Sequence, residues 1–500
     1  MSELTTYAAI DLGSNSFHMI IAREEGGHLH VLDKLRETVR LASGLNSDGD
    51  ITGQTEQLAL DTLAQFGQRL REFSSNQVRC VGTNTLRRVS QQSGFLKKAQ
   101  AALGHPIEII AGHEEARLIY LGTTHSTTPI DGNQLVMDIG GGSTELIIGK
   151  DGVPYTLESI NIGCVTYTQR YFADGQITPE RYDRARTQAG LQLRPVAKAY
   201  RDRGWLNALG CSGTIKAVEL IAQANGWCES GISKDALKQL RLALLEAGSI
   251  DNIQIAALKD NRQPVIAGGL AVLESIFKAL RLEHIDVSQS SLREGLLYDL
   301  VGRTRREDIR ATTVSSMMRK HHTEEMLSHA HRLAETAEKL FSEVQAAWGL
   351  QEEQKQSLVW AAHLCECGLS LSHSKYHRHS EYLLRHSAMP GFSWGEQNLL
   401  AYLARVHRSR FNLSALDSLP SDMHDSATQL AVILRLAVLF NRSRLEEPLP
   451  DIVLQAKGGV LTLSIDRDWL ANNPLTLADL NSEINQYENA DSGFTLRFNP

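Results

Sequence analysis

Two short segments of the 500-residue chain carry the same set of chemically active residues. Residues 8–21 read AAIDLGSNSFHMII and residues 135–149 read LVMDIGGGSTELIIG, so each has an aspartate, then glycine, then serine. Asp11 aligns with Asp138 without a gap, and the serines that follow align at the same separation of 127 residues (138 − 11 and 143 − 16). A repeated loop of this kind indicates two similar units that face a shared ligand.

The residue types in these loops are suited to binding phosphate. Glycines accept backbone angles that other residues resist, and they let amide N–H groups approach an anion closely. Serine, threonine and asparagine add donors, while the Gly-Lys-Ser/Thr of a Walker P-loop is absent here. One glycine-rich turn is usually a plain hairpin connection, but the pair favours phosphate binding. The predicted phosphate contacts are Gly13, Ser14, Asn15, Ser16, Gly140, Gly141, Gly142, Ser143 and Thr144.

Carboxylates close to these loops predict a magnesium site. Mg²⁺ prefers a few carboxylates together with water and substrate phosphates. Asp138 and Glu145 are seven residues apart, which is too far along one strand, but a loop that folds back brings both to one ion. We therefore predict Asp138 and Glu145 as metal ligands, with Asp11 contributing through water. The alternative for Glu145 is that it begins an exposed strand.

Hydrophobic runs predict the strands that carry these loops. The apolar residues before each aspartate indicate a buried strand that delivers the carboxylate at the rim of a sheet, and those after each loop indicate a returning strand. Residues 106–110 predict another strand, which leads into a helix with Glu114 and Glu115 in its first turn. These glutamates either complement the helix dipole or activate a water molecule. The residues alone leave both interpretations open.

A third glycine turn and two basic residues extend the candidate site. Residues 206–209 predict a strand that runs into GCSGTIKAVELIA, the opening of a helix that faces an anion or a nucleotide. Lys216 in this segment either contacts a phosphate or faces solvent. Arg87 presents a planar fork that suits phosphate oxygens, or it is a solvated surface arginine. The predicted contacts of the third turn are Gly210, Ser212, Gly213 and Thr214.

Composition limits the classes of function. The net charge is −7, from 51 Lys and Arg against 58 Asp and Glu. An anionic protein acting on an anionic substrate depends on local cations, and this charge argues against a nucleic-acid binder. The N-terminal segment lacks the basic region of a signal peptide, and we expect no membrane span. The six cysteines have no disulfide-framework spacing, so we expect a cytoplasmic protein.

The paired segments resemble the two phosphate loops of the actin, sugar kinase and Hsp70 superfamily. More narrowly, AAIDLGSNSFHMII and MDIGGGSTELIIG resemble the exopolyphosphatase and guanosine pentaphosphate phosphohydrolase family, over nearly the whole chain. The resemblance implies an α/β fold with a duplicated actin-like (ribonuclease H-like) core. It also implies that Glu115, the second glutamate of the EEAR motif, is the catalytic base, and that Arg87 of the TLR motif contacts phosphate.

Within that family, we favour the guanosine pentaphosphate branch. The expected activity is Mg²⁺-dependent hydrolysis of the terminal phosphate of guanosine pentaphosphate (pppGpp) to give ppGpp in the stringent response. Exopolyphosphatase activity on inorganic polyphosphate is the nearest alternative, because it uses the same loops. A kinase would need an acceptor site, for which the sequence has no signature. A non-enzymatic (p)ppGpp-binding sensor is the remaining alternative. We also expect a homodimer that binds neither nucleic acid nor membrane.

The C-terminal part of the chain changes to a helical pattern after the charge-dense residues 302–310. Eleven of the 18 histidines lie between His321 and His424, in a region that resembles an HD-type helical domain. The HD metal site requires a His-Asp pair and a later Asp, where this chain has Cys365-Glu366 and Asn441. We therefore predict a non-catalytic all-α domain.

The alternative for this region is a zinc site, which would use His363, Cys365 and Cys367. A hairpin turn at Gly458 and Gly459 predicts a small α/β cap after the helices. The predicted domains are 1–124 and 125–304 for the actin-like halves, 305–445 for the HD-like helices and 446–500 for the cap.

Overall fold

The computed structural model describes residues 5–25, 28–46, 48–90, 94–127, 130–304, 308–411, 413–444, 449–489 and 495–499. The chain forms two compact units, Met1–Asp308 and Ile309–Pro500. The predicted boundaries at 304/305 and 445/446 adjoin or lie among residues outside the described ranges.

The first half of unit 1 is a five-stranded sheet with helices. Its sheet has the order β3-β2-β1-β4-β5, with β1–β2 and β2–β3 antiparallel and β1–β4 and β4–β5 parallel. The elements are β1 (Thr6–Leu12), β2 (Phe17–Glu25), β3 (His28–Glu37), α1 (Gly53–Arg69), β4 (Val78–Gly82), α2 (Asn84–Arg88), α3 (Phe95–Leu103), β5 (Ile107–Ile109) and α4 (Gly112–Thr124).

The second half repeats this arrangement. Here β6–β7 and β7–β8 are antiparallel and β6–β9 and β9–β11 are parallel, in the order β10-β11-β9-β6-β7-β8. The predicted duplication is confirmed. The elements are β6 (Gln134–Ile139), β7 (Thr144–Lys150), β8 (Val153–Ile160), α5 (Cys164–Tyr171), α6 (Pro179–Arg203), β9 (Asn207–Cys211), α7 (Ser212–Ala224), β10 (Ile232–Ser233), α8 (Lys234–Ala247), α9 (Ile266–Leu280), β11 (His284–Val287) and α10 (Leu292–Thr304).

Helices α4 and α10 lie between the two sheets, and each packs on the sheet of the other half. Although α4 belongs in sequence to the first half, it packs against β6, β7 and β8, while α10 packs against β1, β2 and β4. The two helices cross at glycines. A Cβ on Gly295 would lie 1.9 Å from the carbonyl oxygen of Leu118, and one on Gly122 would lie 2.1 Å from that of Ser291. The backbones therefore touch, and no side chain fits between them.

The segment around Arg87 does not form one helix through Phe95. Instead, α2 ends at Arg88 and α3 begins at Phe95. The interruption has a local cause, because Val89 is extended and Gly94 has a left-handed φ of 67°.

Unit 2 combines helices with a small sheet around one hydrophobic core. The predicted hairpin is present, and β14 pairs in parallel with β13 to give the order β12-β13-β14. The small sheet thus shares the core of the helices. The elements are α11 (Ile309–His321), α12 (Glu324–Trp348), α13 (Glu352–Leu364), α14 (Tyr376–His386), α15 (Trp394–Val406), α16 (His424–Phe440), β12 (Ile452–Lys457), β13 (Val460–Ile465), α17 (Arg467–Asn472), α18 (Pro474–Asn489) and β14 (Thr495–Asn499).

Two helical segments among the described residues are long and apolar enough to cross a membrane, Gln263–Leu280 and Ser421–Phe440. In each, 67% of the segment is buried within the fold. Length and composition alone cannot distinguish a spanning helix from a core helix, and the burial is that expected of core helices.

Candidate active site

A cavity of about 390 Å³ opens between the two halves of unit 1, where the repeated loops meet. Its volume falls in the range of small-molecule sites. The loops that the sequence predicted, together with the starts of α4 and α7, line it. The predicted site residues on its wall are Asp11, Gly13, Ser14, Asn15, Ser16, Glu115, Asp138, Gly140, Gly141, Gly142, Ser143, Ser212 and Gly213.

The glycines of the second loop allow close packing. A Cβ on Gly141 would lie 2.9 Å from the Cβ of Ser14 on the opposite loop, and one on Gly142 would lie 2.3 Å from Oδ1 of Asn84. None of the glycines from 140 to 142 has a positive φ. The expectation that they supply unusual backbone angles is therefore wrong, and close approach is the reason that glycine is needed.

The loop is also held by the start of α5. The amides of Cys164 and Val165 donate to the carbonyl oxygens of Gly140 and Gly141, at 3.0 and 2.9 Å. These bonds engage two carbonyl oxygens that would otherwise repel an anion. The amide of Gly140 donates to the carbonyl of Ser143 at 2.9 Å and closes the turn.

The hairpin brings the predicted metal ligands together. Asp138 and Glu145 are direct cross-strand partners in the β6–β7 register, so their Cβ atoms are about 5 Å apart. Ser291 Oγ donates to Asp138 Oδ2 at 2.7 Å, and Cys211 Sγ donates to the same atom at 3.3 Å. Ser159 Oγ donates to Glu145 Oε1 at 2.7 Å.

Burial raises the pKa of two carboxyl groups in this cluster, Asp11 and Glu145. Burial raises the pKa of Asp11 from 3.8 to about 7; Arg293 opposes the shift, and Glu115 and Asp138 add to it. The pKa of Glu145 is well above its usual range because of burial and of the charges on Glu115 and Asp138. Asp11 Oδ1 is buried without a hydrogen-bond partner. A cation would relieve both the repulsion and the unpaired oxygen.

The chemistry of these residues fits Mg²⁺. Among the described residues, no three His, Cys, Asp or Glu side chains form a group that could hold a metal ion by themselves. Mg²⁺ does not require such a group, because it commonly binds through one or two carboxylates and completes its shell with water and substrate phosphates. Asp138 and Glu145 suit this mode, and Asp11 suits a contact through water.

Glu115 lies at the start of α4 and faces the cavity. Arg87 Nη1 donates to Glu115 Oε2 at 3.0 Å and to the carbonyl oxygen of Ile110 at 2.7 Å. Burial raises the pKa of Glu115, the contacts with Arg87 oppose the rise, and the charge of Asp138 adds to it. Arg87 therefore contacts the candidate base, and its predicted role as a phosphate contact stays untested.

Five of the predicted site residues lie outside the cavity wall. The hydroxyl of Thr144 donates to the carbonyl oxygen of Ile162, and Glu145 is buried on the same strand. Gly210 faces the side chains of Ile215 and Ile285, and Thr214 is buried beside Gly269. The predicted contacts of these residues with phosphate or with the metal stay predictions. The residues outside the wall are Arg87, Thr144, Glu145, Gly210 and Thr214.

The sequence did not predict the basic wall of the cavity. Arg293 lies 3.3 Å from His18 Nδ1, and Lys216, for which the sequence left both roles open, donates to the carbonyl oxygen of Gln289. Arg262 comes from an irregular segment and sits over Gly213, where a Cβ would be 1.9 Å from its Nη2. Burial, with Arg262 and Arg293, lowers the pKa of Arg36. The basic residues on the wall are Lys34, Arg36, Lys216, Arg262 and Arg293.

In unit 2, the position that resembles an HD metal site contains an ion pair. Glu366 Oε2 accepts from Arg444 at 2.6 Å and lies 3.5 Å from His329 Nε2, while Tyr376 donates to Oε1 at 3.1 Å. Burial raises the pKa of the Cys367 thiol to about 12 and raises that of the Cys365 thiol well above its usual range. No metal-binding group is found among the described residues of this unit.

Comparison with known proteins identifies the family. Residues 20–304 match the model of the Ppx/GppA phosphatase family, and residues 309–484 match that of Ppx/GppA phosphatase domain III. The first match alone covers more than half of the chain. This protein belongs to the Ppx/GppA phosphatase family. It has the actin-like core of that family, followed by the helical domain III.

Solved structures agree with this assignment. An exopolyphosphatase from Cytophaga hutchinsonii ATCC 33406 is 27% identical with a TM-score of 0.54, and the match covers 60% of this chain and 98% of that one. A Ppx/GppA family member from Aquifex aeolicus is 24% identical with a TM-score of 0.52, and the match covers 60% and 99%. The second likeness shows the fold. The cavity therefore belongs to an exopolyphosphatase-like phosphatase, a hydrolase of phosphoanhydride bonds.

Proposed function

We propose that this phosphatase hydrolyses the terminal phosphate of pppGpp to give ppGpp and inorganic phosphate, with Mg²⁺ as its cofactor. The observation that carries the proposal is the charge on the cavity wall. Five basic side chains and three carboxylates line it, although the whole chain has a net charge of −7. Such a wall attracts a compact polyanion in spite of the overall field.

The carboxylates and the basic side chains of the cavity wall come from different elements. The carboxylates come from β1, β6 and α4, whereas the basic residues come from β3, α7, α10 and the segment before α9. A substrate that carries phosphates at two positions suits this arrangement, because Mg²⁺ on the carboxylates would hold one group while arginine and lysine bind another. This supports pppGpp, which has phosphates on both sides of its ribose, over a single linear chain.

The chain's own residues supply the chemistry of hydrolysis. Glu115 accepts a proton from water as the water oxygen attacks the terminal phosphorus. The bond from that phosphorus to the bridging oxygen breaks, the oxygen leaves with ppGpp, and phosphate is released. Arg87 holds the Glu115 carboxylate in place, and the two loops bind the phosphate oxygens. Mg²⁺ at Asp138 and Glu145 would neutralise the charge that develops on the phosphoryl group.

The substrate is tested by phosphate release from pppGpp and from long-chain polyphosphate, at matched concentration with Mg²⁺ in one buffer. We expect a higher kcat/KM for pppGpp. A preference for polyphosphate would transfer the same site to the exopolyphosphatase alternative, which the relative from Cytophaga hutchinsonii favours. Saturable pppGpp binding without release of phosphate from either substrate would support a sensor instead.

Arg36→Met should weaken substrate binding more than it slows the reaction. Arg36 lies on the basic wall, and a hydrogen bond to a charged group contributes about 1.5–3 kcal/mol, or roughly 10–150-fold in affinity. We expect KM for pppGpp to rise by about that factor with little change in kcat. Arg71→Met, at an exposed arginine outside the wall, is the matched control. Equal kinetics for the two variants would reject a substrate contact at Arg36.

A further inference from the structure

Glu114, the neighbour of Glu115 at the start of α4, belongs to a buried network of ion pairs. Arg117 Nε donates to Glu114 Oε2 at 2.8 Å, and another nitrogen of Arg117 donates to Asp299 on α10. Arg79 on β4 bonds Asp299 and Glu108, and Arg303 donates to Asp299 at 2.9 Å. The network therefore joins α4, α10 and the first sheet. Its members are Arg79, Glu108, Glu114, Arg117, Asp299 and Arg303.

Asp299 is the centre of this network. Three arginines contact its carboxylate, which is buried with 4% of its side chain exposed. Burial alone would raise the pKa of Asp299, but Arg117, Arg79 and Arg303 hold it well below its usual range. The three arginines and three carboxylates of the network balance, so loss of one carboxylate leaves a buried positive charge unpaired.

The same helix reaches the reacting groups. Ser291, directly before α10, donates to Asp138 Oδ2 at 2.7 Å, and Asp299 lies about two turns further along α10. Arg117 lies two residues after Glu115 on α4. At Gly122 and Gly295 the backbones of the two helices touch, so the helices pack directly against each other. This pair of helices thus connects Glu115 on α4 to Asp138, which Ser291 contacts.

We propose that Asp299 is a positioning residue, which anchors α4 to α10 so that Glu115 stays aligned with Asp138 across the cavity. The proposal rests on the proposed role of Glu115 in hydrolysis and holds for either substrate. Asp299 acts through Arg117 and Glu114 and is not among the residues that line the cavity. The Asp299 carboxylate sets the position of α4, whose first turn carries Glu115. Without this carboxylate, the fold would retain the pairs Arg117–Glu114 and Arg79–Glu108.

Asp299→Asn tests the proposal, because it removes the charge and keeps the shape. The matched control is Glu274→Gln on α9, since Glu274 is largely buried with 10% of its side chain exposed, lies 3.3 Å from Arg241 and 3.9 Å from Arg186, and is absent from the cavity wall. We expect kcat of Asp299→Asn to fall about tenfold or more with little change in KM. The acidic limb of its pH profile should also move. Glu274→Gln should lower thermal stability without either kinetic change.

The result that overturns the proposal is an Asp299→Asn protein with wild-type kcat and an unmoved acidic limb, whatever its stability. If Asp299→Asn does not fold, Arg303→Gln removes an outer pair of the same carboxylate and should give the same changes at smaller size. The carboxyl titration of Glu115, followed by ¹³C NMR with Glu115→Gln for assignment, should shift in Asp299→Asn. The NMR titration and the phosphate-release assay test the two proposals separately. Absence of phosphate release by the wild type rejects the proposed function, whereas an unshifted Glu115 titration in Asp299→Asn rejects the positioning role.

Discussion

Replacing Glu115 with glutamine is expected to lower kcat by roughly 10²–10⁴-fold, because glutamine cannot accept a proton from the attacking water. KM should change little, because the loops and the basic wall, which we propose bind the phosphates, remain. The amide oxygen of glutamine still accepts a hydrogen bond from Arg87, which lies 3.0 Å from the carboxylate. Initial rates of phosphate release over a range of substrate concentrations measure both constants.

The pH profile gives the same prediction an independent check. The wild-type rate should fall as pH falls through the pKa of Glu115, since only the ionised form accepts a proton. Burial raises that pKa above the ordinary 4.5, even with Arg87 beside it. The wild-type rate should therefore fall on the acidic side at a pH above the ordinary pKa range of glutamate. In Glu115→Gln, any remaining loss of rate at low pH should come from other groups.

Glu274→Gln is again the control, because it removes a largely buried and paired carboxylate that does not line the cavity. It should retain wild-type kcat. A loss in Glu115→Gln that appears equally in binding and turnover would indicate that Glu115 positions the substrate. Wild-type turnover in this variant would remove Glu115 from the mechanism.

The sequence predicted the loops well because their signals are local. An apolar strand, an aspartate, glycines and a returning strand define a hairpin within fifteen residues, and hairpin pairing then places Asp138 opposite Glu145. The sequence signal for the helix that begins before Glu115 was equally local. The physical reason for the glycines could not be read from the sequence, because it depends on how closely Ser14 and Asn84 approach Gly141 and Gly142.

The basic wall was missed because its signal is long-range. Arg36 lies on a strand, Arg262 on an irregular segment and Arg293 in the first turn of α10, and none lies beside a glycine loop of the predicted kind. Only the packing of α10 against the first sheet brings Arg293 near His18. The packing of α10 against the sheet of the first half likewise could not be predicted from local sequence, because any buried helix has a similar pattern of apolar residues.

Replacing Asp138 with asparagine should raise the Mg²⁺ concentration needed for half-maximal activity by on the order of 10²-fold. Asn keeps the hydrogen-bonding shape toward Ser291 but loses the charge that attracts the ion. Changes to outer-shell partners of metal ligands alone cost about 10–100-fold in affinity, so loss of a ligand's charge should cost at least as much. Titration of the rate with Mg²⁺ at saturating substrate measures this, and Glu274→Gln should match the wild type.

Thermal unfolding tests the same site without activity. A ligand that binds only the folded state stabilises it, so Mg²⁺ should raise the Tm of the wild type and raise that of Asp138→Asn much less. The effect should depend on pH. The pKa of Asp11 is about 7 in the fold against 3.8 as its ordinary value, so without Mg²⁺ this group makes folding less favourable as pH rises from 4 to 7.

Protons and Mg²⁺ therefore compete for the carboxylates. At pH 8 Asp11 is ionised and the ion binds without displacing its proton, whereas at pH 6 that proton must leave first. We expect the Mg²⁺-induced rise in Tm to be larger at pH 8 than at pH 6. An equal rise in Asp138→Asn and the wild type would place the ion away from these carboxylates, and the charge on Asp11 and Glu145 would then have to be neutralised by the substrate-binding arginines instead.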